Sequence, residues 1–376
     1  MILPGATLGV LGGGQLGRMF TAEARRMGYR VVILDPDPEA PAGQLADHHI
    51  VRPWSDPDAL SELARICDAV TTDYEDVPTD VLRALAAHVP VRPRADAVAV
   101  TQDRCEEKRF LNTIDVPTTA WASVRSGEPA LEAWRTIGGC AGVLKTSRLG
   151  RNSSGQEIIA SSEELPAALV RLGNVPCILE RRVSLECEIS VMVARGADGA
   201  VVTWPVAENI HRYGILHTSV VPAMIPDALA LEARALAERI VARLDYVGVM
   251  GVECFVADGG KLLVNELAPR PHNSGHWTLD VSLTSQFEQQ VRALTGMPLG
   301  ATGNLAPVAM VNLLGDLWRN GEPHWERALT MPKVRLHLYG KRAPRPGRKM
   351  GHLTAVADTP KLALDTALIA WGFLAR

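Results

Sequence analysis

The chain has 376 residues, of which 47% are hydrophobic and 22% are charged, a composition typical of a globular protein with two or three domains. Its formal net charge is −3, so no overall positive field points to a nucleic-acid partner, and no apolar run reaches the roughly 18 residues of a membrane span. The six cysteines are scattered without a C-x-x-C pair, which argues against a zinc site or a disulfide scaffold and favours a cytoplasmic enzyme.

Strand and helix signals alternate along the N-terminal part of the chain. TLGVLGGG predicts a buried strand, QLGRMFTAEARRMG an amphipathic helix, and YRVVILD a second strand. This β-α-β alternation continues to about His88 and predicts a doubly wound parallel sheet. Two prolines in VPVRPRADAVAV then mark a boundary, so we expect an N-terminal Rossmann-like domain over residues 1–98.

Residues 99–299 mix short strands with helices and predict an α+β domain. TQDRCEEKRFLN predicts a helix, CEISVMVA a strand, and DALALEARALAERIVARL a long helix. The remaining residues, 300–376, contain the basic segment KRAPRPGRK and predict a small C-terminal domain that ends in a helix. The expected fold class is therefore α/β combined with α+β.

Gly12, Gly14 and Gly17 form a G-x-G-x-x-G pattern between the first strand and the first helix, and Asp35 ends the next strand. This pattern matches the dinucleotide-binding template and favours an NAD-dependent dehydrogenase. The same turn offers helix amides to any phosphate group, and a tight turn without a ligand also fits. The glycines alone do not separate these alternatives.

GVECFVADGGKLLVNEL predicts a β-hairpin that turns at Asp258-Gly259-Gly260. A turn centred on Gly259-Gly260 places Glu253 directly opposite Glu266, with Cβ atoms roughly 5 Å apart. Two facing carboxylates repel each other unless a cation neutralises them, and Mg²⁺ prefers carboxylate and phosphate oxygens. The alternatives are two solvent-facing glutamates, a protonated glutamate, or an arginine pair.

This hairpin, with APRPHNSGHWT after it and the glycine pattern before it, resembles the ATP-grasp superfamily. More narrowly, the chain is similar to the 5-(carboxyamino)imidazole ribonucleotide synthase family of purine biosynthesis. The resemblance extends over nearly the whole chain through the segments GGGQLGRM, QDRCEEK, VLKTSR, CILERRVSLECEIS, ENIHRYGILHTSV, YVGVMGVECFV, VNELAPRPHNSGHWT and LYGKRAPRPGRKMGH.

The resemblance implies an ATP-grasp architecture, ATP and Mg²⁺ as cofactors, and a homodimer. It places Mg²⁺ on Glu253 and Glu266, a hinge for adenine at residues 180–183, and ribose hydroxyls on Glu188. The residues that match the family's ATP site are Arg104, Lys145, Gly150, Arg151, Asn152, Ser153, Ser154, Gly155, Gln156, Glu180, Arg181, Arg182, Val183, Glu188, His211, Asn265 and Glu266.

The resemblance also implies two small-molecule substrates, 5-aminoimidazole ribonucleotide and bicarbonate, and neither a nucleic-acid nor a membrane partner. Taken alone, the basic segment KRAPRPGRK would more often indicate a solvated surface or a nucleic-acid patch. The residues expected to bind the ribonucleotide are Gln15, Leu16, Asp35, Asn273, Ser274, His276, Lys341, Arg348 and Lys349.

The implied reaction transfers the γ-phosphate of ATP to bicarbonate, and the substrate amine then captures the carboxyl group of carboxyphosphate. Lys145 and Arg270 are expected to clamp oxygens of the reacting groups, and the catalytic residues Lys341 and Arg348 to supply positive charge at the ribonucleotide site. Glu75, in DYEDVP, is the predicted acceptor of the amine proton.

The loop from Gly150 to Gln156 departs from the family pattern, which is roughly Gly-Tyr-Asp-Gly-Lys-Gly-Gln. The tyrosine, aspartate and lysine are absent, although Arg148 or Arg151 offers a replacement charge. Four interpretations follow: a carboxylase with an altered loop, a paralogous ligase for another acid and amine, a nucleotide-binding protein without turnover, or a dehydrogenase.

Overall fold

A computed structural model describes residues 1–125, 127, 130–148 and 155–375. Its N-terminal part is a parallel sheet with strand order β3-β2-β1-β4, as the strand-helix alternation predicts. The elements, in chain order, are β1 (Thr7–Leu11), α1 (Gln15–Arg26), β2 (Arg30–Leu34), β3 (His48–Ile50), α2 (Pro57–Ile66), β4 (Ala69–Thr72), α3 (Thr79–Ala86) and α4 (Ala95–Thr101).

A small antiparallel sheet with strand order β5-β8-β6-β7 follows, with Trp134, Leu144 and Leu179 in its own core. The predicted helix TQDRCEEKRFLN is divided, because the Asp103 side chain accepts the Cys105 N–H and caps a new helix. These elements are α5 (Arg104–Thr113), β5 (Trp121–Val124), α6 (Ala130–Thr136), β6 (Gly142–Thr146), β7 (Gln156–Ile159), α7 (Leu165–Arg171) and β8 (Cys177–Arg181).

A large antiparallel sheet joins the central part of the chain to the tail, in the strand order β14-β13-β9-β11-β12-β15-β17-β16 with β10 on β9. Its elements are β9 (Leu185–Arg195), β10 (Val201–Thr203), β11 (Ala207–Arg212), β12 (Ile215–Val221), α8 (Asp227–Arg243), β13 (Gly248–Ala257), β14 (Lys261–Ala268), α9 (Thr278–Val281), α10 (Gln286–Thr295), β15 (Val308–Leu314), α11 (Trp325–Ala328), β16 (Val334–Leu338), β17 (Lys349–Val356) and α12 (Pro360–Leu374).

Separate apolar clusters stabilise the two ends of this sheet. Ile240 of α8 packs with Val252 of β13, and Ala367 of α12 packs with Leu353 of β17. Across the junction, Thr218 of β12 pairs with Val311 of β15. The tail is therefore an extension of the central sheet. No helix within the described ranges has the length and apolar character needed to cross a bilayer.

Candidate active site

Side chains of the protein itself fill the glycine-rich turn between β1 and α1. A Cβ atom at Gly12 would lie 2.5 Å from Tyr74 Cδ2, and one at Gly13 would lie 2.6 Å from Ala40 Cβ. Asp35 is buried and accepts the N–H groups of Gly13 at 2.7 Å and Asp37 at 2.8 Å. Asp35 therefore supports the turn and lines neither cavity described below, and its predicted contact with substrate stays a prediction.

The β13–β14 hairpin brings the two predicted metal ligands together, because Glu253 pairs directly with Glu266. The turn differs from the predicted one: Ala257 pairs with Lys261 around a three-residue loop, and a bulge at Asn265 then shifts the register by one residue. Asn265 and Glu266 consequently line the same cavity, although neighbouring residues of a regular strand face opposite sides.

Lys108 of α5 holds this bulge in place from the protein interior. Its side chain is 2% exposed, and its Nζ donates to the carbonyl groups of Val264 at 3.1 Å and Asn265 at 2.8 Å. The same Nζ lies 3.1 Å from Glu180 Oε1, and Lys145 pairs with the other oxygen of Glu180. Burial would raise the pKa of Glu180, but the two lysines lower it to about 2.

The glutamate pair faces a cavity of about 280 Å³. Burial, and then the charge of Glu266, raise the pKa of Glu253 to about 7. His272 Nε2 lies 3.2 Å from Glu253 Oε1, and Arg104 lies 3.8 Å from Glu266 Oε2. The two carboxylates face each other, and the raised pKa of Glu253 shows that its ionised form is disfavoured. A divalent cation would neutralise both charges, so these residues fit Mg²⁺.

Seven of the seventeen residues predicted to contact ATP line this cavity. Glu188 and His211 form an ion pair of 2.7 Å there, in which Glu188 raises the pKa of His211 against the lowering effect of burial. The residues of the predicted ATP set that line the cavity are Arg104, Lys145, Gln156, Glu188, His211, Asn265 and Glu266.

Some of the predicted ATP residues lie elsewhere. Gly155 has a φ of +87° and accepts the Thr146 N–H at 2.9 Å, which holds the end of the loop beside β6. The residues of that loop that lie outside the described ranges are Gly150, Arg151, Asn152, Ser153 and Ser154.

The predicted adenine hinge, residues 180–183, covers the end of β8. The N–H groups of Arg181 and Arg182 donate at 2.8 Å to carbonyl groups that flank the neighbouring strands β5 and β6. These two amides are therefore engaged within the sheet. The prediction that the backbone of residues 180–183 binds the adenine edge stays a prediction, and it rests on the Val183 N–H and on carbonyl groups.

A second cavity, of about 250 Å³, lies between the glycine turn and the tail. Lys341 Nζ donates to Gln15 Oε1 at 2.7 Å and to the Lys349 carbonyl at 2.8 Å. Burial, and then the charge of Arg348, lower the pKa of Lys341 to about 8. The tail and the start of α1 therefore form one cationic wall, to which Leu16 contributes the apolar part.

Asn273 lines the second cavity and has unmet hydrogen-bonding capacity. Its side chain is buried, with 3% exposed, and neither amide atom has a hydrogen-bond partner within the described residues. An orphaned buried amide costs about 1–3 kcal/mol, so its retention here indicates a ligand contact.

Ser274 and His276 are not among the residues that line either cavity, and their predicted contact with substrate stays a prediction. Both are fully buried. Ser274 Oγ bonds to His272 Nδ1 at 2.9 Å and to Ser190 at 2.8 Å, and His276 Nδ1 contacts Gln286 at 3.0 Å. These two side chains hold the loop that carries His272 and Asn273.

Glu75 and Arg270 form a bidentate ion pair, in which Arg270 Nη2 donates to Glu75 Oε1 at 2.7 Å. Glu75 raises the pKa of Arg270 further, against the lowering effect of burial. A carboxylate held this way is a poor base, which argues against Glu75 as the acceptor of the amine proton. Asp73, which the sequence analysis did not single out, lines the second cavity, and burial raises its pKa to about 6.

Three domain families match successive parts of the chain. The ribonucleotide synthetase preATP-grasp domain matches residues 5–102, and the ATP-grasp domain matches residues 109–287. The phosphoribosylaminoimidazole carboxylase C-terminal domain matches residues 308–366.

Individual relatives match over almost the full length. The N5-carboxyaminoimidazole ribonucleotide synthase of Brucella melitensis is 44% identical over 94% of this chain and 97% of its own, and that of Bacillus subtilis is 40% identical over 94% and 92%. The crystal structure of an ADP complex of an N5-carboxyaminoimidazole ribonucleotide synthetase superposes with a TM-score of 0.93 at 39% identity, covering 100% of this chain and 99% of that one.

The Aspergillus clavatus enzyme in complex with ADP and 5-aminoimidazole ribonucleotide superposes with a TM-score of 0.89 at 31% identity, covering 98% of each chain. Domain order, sequence identity and fold agree across these comparisons. The chain therefore belongs to the N5-carboxyaminoimidazole ribonucleotide synthase family of ATP-grasp enzymes.

Proposed function

We propose that this protein carboxylates 5-aminoimidazole ribonucleotide with bicarbonate at the expense of ATP, giving N5-carboxyaminoimidazole ribonucleotide, ADP and phosphate in purine biosynthesis. The observation that carries the proposal is the junction of the two cavities. Arg270, His272 and Lys349 line both of them. A carboxyl phosphate formed in the first cavity would thus meet the amine of a substrate bound in the second without leaving the protein.

The nucleotide is assigned to the cavity of the glutamate pair. Glu253 and Glu266 would hold Mg²⁺, which would supply positive charge beside the triphosphate oxygens. Lys145 and Arg104 are the cations of this cavity placed for phosphate oxygens. Glu188 is a hydroxyl acceptor suited to ribose.

The ribonucleotide is assigned to the second cavity. Its phosphate would lie against Lys341, Arg348 and the N–H groups at the start of α1. Asn273 would donate and accept hydrogen bonds through the amide that lacks a partner among the described residues. This arrangement orients the substrate amine towards the shared wall.

The chemistry divides into two displacements. A bicarbonate oxygen attacks the γ-phosphorus and releases ADP, which gives carboxyphosphate. The substrate amine then attacks the carboxyl carbon, phosphate leaves, and the amine proton passes to a base. Asp73 is assigned this last role, because it lines the ribonucleotide cavity and Glu75 is bound to Arg270.

The decisive assay measures ADP and phosphate released from Mg-ATP, with the ribonucleotide and bicarbonate present together and with each omitted. We expect release only in the complete mixture, and Glu266→Gln to reduce it at least about 100-fold with an unchanged circular dichroism spectrum. Glu232→Gln is the matched control, since Glu232 is exposed on α8.

Other outcomes of the same assay point to other functions. Turnover only with a different acid or amine would identify a paralogous ligase. The departure of the loop from Gly150 to Gln156 from the family pattern is the reason to test this alternative. Stabilisation by ATP without ADP release would identify a binding protein. Near-normal turnover in Glu266→Gln would remove the metal assignment.

A further inference from the structure

A cluster of histidine and aspartate side chains lies outside both cavities, where α9 covers the tail strands β16 and β17. His337 and His352 are directly opposite each other in the antiparallel pair, and their rings stack with centroids 4.5 Å apart at an interplanar angle of 12°. Asp280 of α9 lies against both strands: its Oδ2 is 3.0 Å from His337 Nε2 and also accepts the Thr354 hydroxyl. Two strands and a helix thus contribute to one cluster.

The buried histidine of this cluster has an unused nitrogen. His352 is fully buried, its Nδ1 is 2.9 Å from the Tyr339 hydroxyl, and its Nε2 has no hydrogen-bond partner among the described residues. Burial, and then His276 and His337, lower its pKa well below the usual value, so the ring is neutral. When Nδ1–H donates to Tyr339, the free lone pair lies on Nε2, as in histidines that ligate metals.

The three side chains are close enough to share one ion. One potential ligand atom from each of Asp280, His337 and His352 lies within 4.8 Å of the other two. Ligands at 2.0–2.2 Å from a tetrahedral zinc ion are roughly 3.4 Å apart, so a shared ion requires the partly exposed His337 ring to turn out of its stack on His352. The nearby Arg335, 3.8 Å from Asp280 Oδ1, is 66% exposed and can turn to solvent.

We propose that Asp280, His337 and His352 bind a divalent transition metal, best matched by zinc, with water in the fourth position. Two imidazoles and one carboxylate suit zinc, whereas Mg²⁺ prefers the all-oxygen environment of the glutamate pair. The scattered cysteines argued against zinc, but this site needs no thiolate. The ion would join α9 to β16 and β17, beside the loop that carries Asn273.

The alternative is that Asp280 only accepts hydrogen bonds from His337 and Thr354. That arrangement accounts for the aspartate but leaves His352 Nε2 buried without a partner in the described part of the chain. The two interpretations differ in whether zinc binds and whether its binding depends on these side chains.

The test uses the full-length protein, stripped with a chelator and titrated with zinc alone by calorimetry, and with Co²⁺ by visible absorption. The glutamate cavity also contains histidines, so the informative quantity is the difference between wild type and variants. We expect wild type to bind one more equivalent of zinc than His337→Ala or Asp280→Asn, and to show a tetrahedral Co²⁺ spectrum that both variants lose.

His48→Ala is the matched control, because exposed His48 also lies beside a carboxylate, 3.4 Å from Glu62. It should keep the wild-type stoichiometry. His337 is partly exposed, so His337→Ala should fold, which circular dichroism and ADP release check. Equal zinc stoichiometry and affinity in wild type, His337→Ala and Asp280→Asn would overturn the proposal, as would retention of the Co²⁺ spectrum by both variants.

Discussion

Replacing Glu253 by glutamine should stabilise the fold while it removes catalysis. Burial and the opposing Glu266 raise the pKa of Glu253 from 4.5 to about 7 in the folded protein. The unfolded chain ionises the same carboxyl at its ordinary pKa. Above neutral pH the folded protein therefore carries an ionised group in an environment that disfavours it, and the amide of glutamine avoids this cost.

The size of the effect follows from the difference between the two pKa values. A shift from 4.5 to about 7 corresponds to roughly 3 kcal/mol at 1.36 kcal/mol per pKa unit. Because the folded pKa is the higher one, the cost is absent below the unfolded pKa, grows as pH rises, and is complete above the folded pKa. We expect Glu253→Gln to raise the free energy of unfolding by up to about 3 kcal/mol at pH 8 and by less than about 1 kcal/mol at pH 5.

Urea denaturation in the presence of a chelator and without nucleotide measures this difference, with the exposed Glu232→Gln as the control. ADP release by Glu253→Gln should fall at least about 100-fold at pH 8. If Glu253→Gln had no higher a free energy of unfolding than wild type at pH 8, or the same increase at pH 5 and pH 8, the folded protein would not disfavour ionisation of Glu253 and the reasoning would be refuted.

Two further substitutions test the supports of the site. Lys108→Met removes the cation that holds the Asn265 bulge and leaves buried Glu180 with only Lys145 as its partner. We expect the free energy of unfolding, measured by urea denaturation, to fall by about 3–5 kcal/mol. A fall of less than about 1 kcal/mol would contradict this role of Lys108. Asp73→Asn should lower kcat/KM by about 100-fold or more. For wild type we expect an acidic limb of the pH–rate profile near pH 6, because burial raises the pKa of Asp73 to about 6, and an unchanged limb in Asp73→Asn would argue against Asp73 as the base.

The sequence predicts the glutamate pair, but for a partly incorrect reason. Alternating apolar residues around a glycine turn indicate a hairpin, and the assumed symmetric turn pairs Glu253 with Glu266. In the structure the turn alone would place the strands one residue out of this register, and the bulge at Asn265 restores it. A bulge depends on tertiary contacts, here with Lys108, which periodicity along the strand cannot reveal.

The remaining differences concern charged side chains that are distant in sequence. Lys108 is buried in the structure, but on a helix such as EEKRF it would ordinarily be predicted as solvated. Glu75 and Arg270 are 195 positions apart, so their ion pair could not be anticipated from local patterns. The strand-helix alternation of the N-terminal part is local and agrees with the prediction, whereas the partner of a buried charge depends on residues distant in sequence.

The shared antiparallel sheet fixes the geometry between the two substrates. Lys349 begins β17 and Glu253 lies in β13, and an unbroken hydrogen-bonded ladder through β9, β11, β12 and β15 connects these strands. Both residues line the cavity of the glutamate pair, so the sheet fixes the spacing between the ribonucleotide anchor and the glutamate pair. Lys145 and Gln156 reach the same cavity from the separate β5-β8-β6-β7 sheet, so the proposed nucleotide site lies between two sheets.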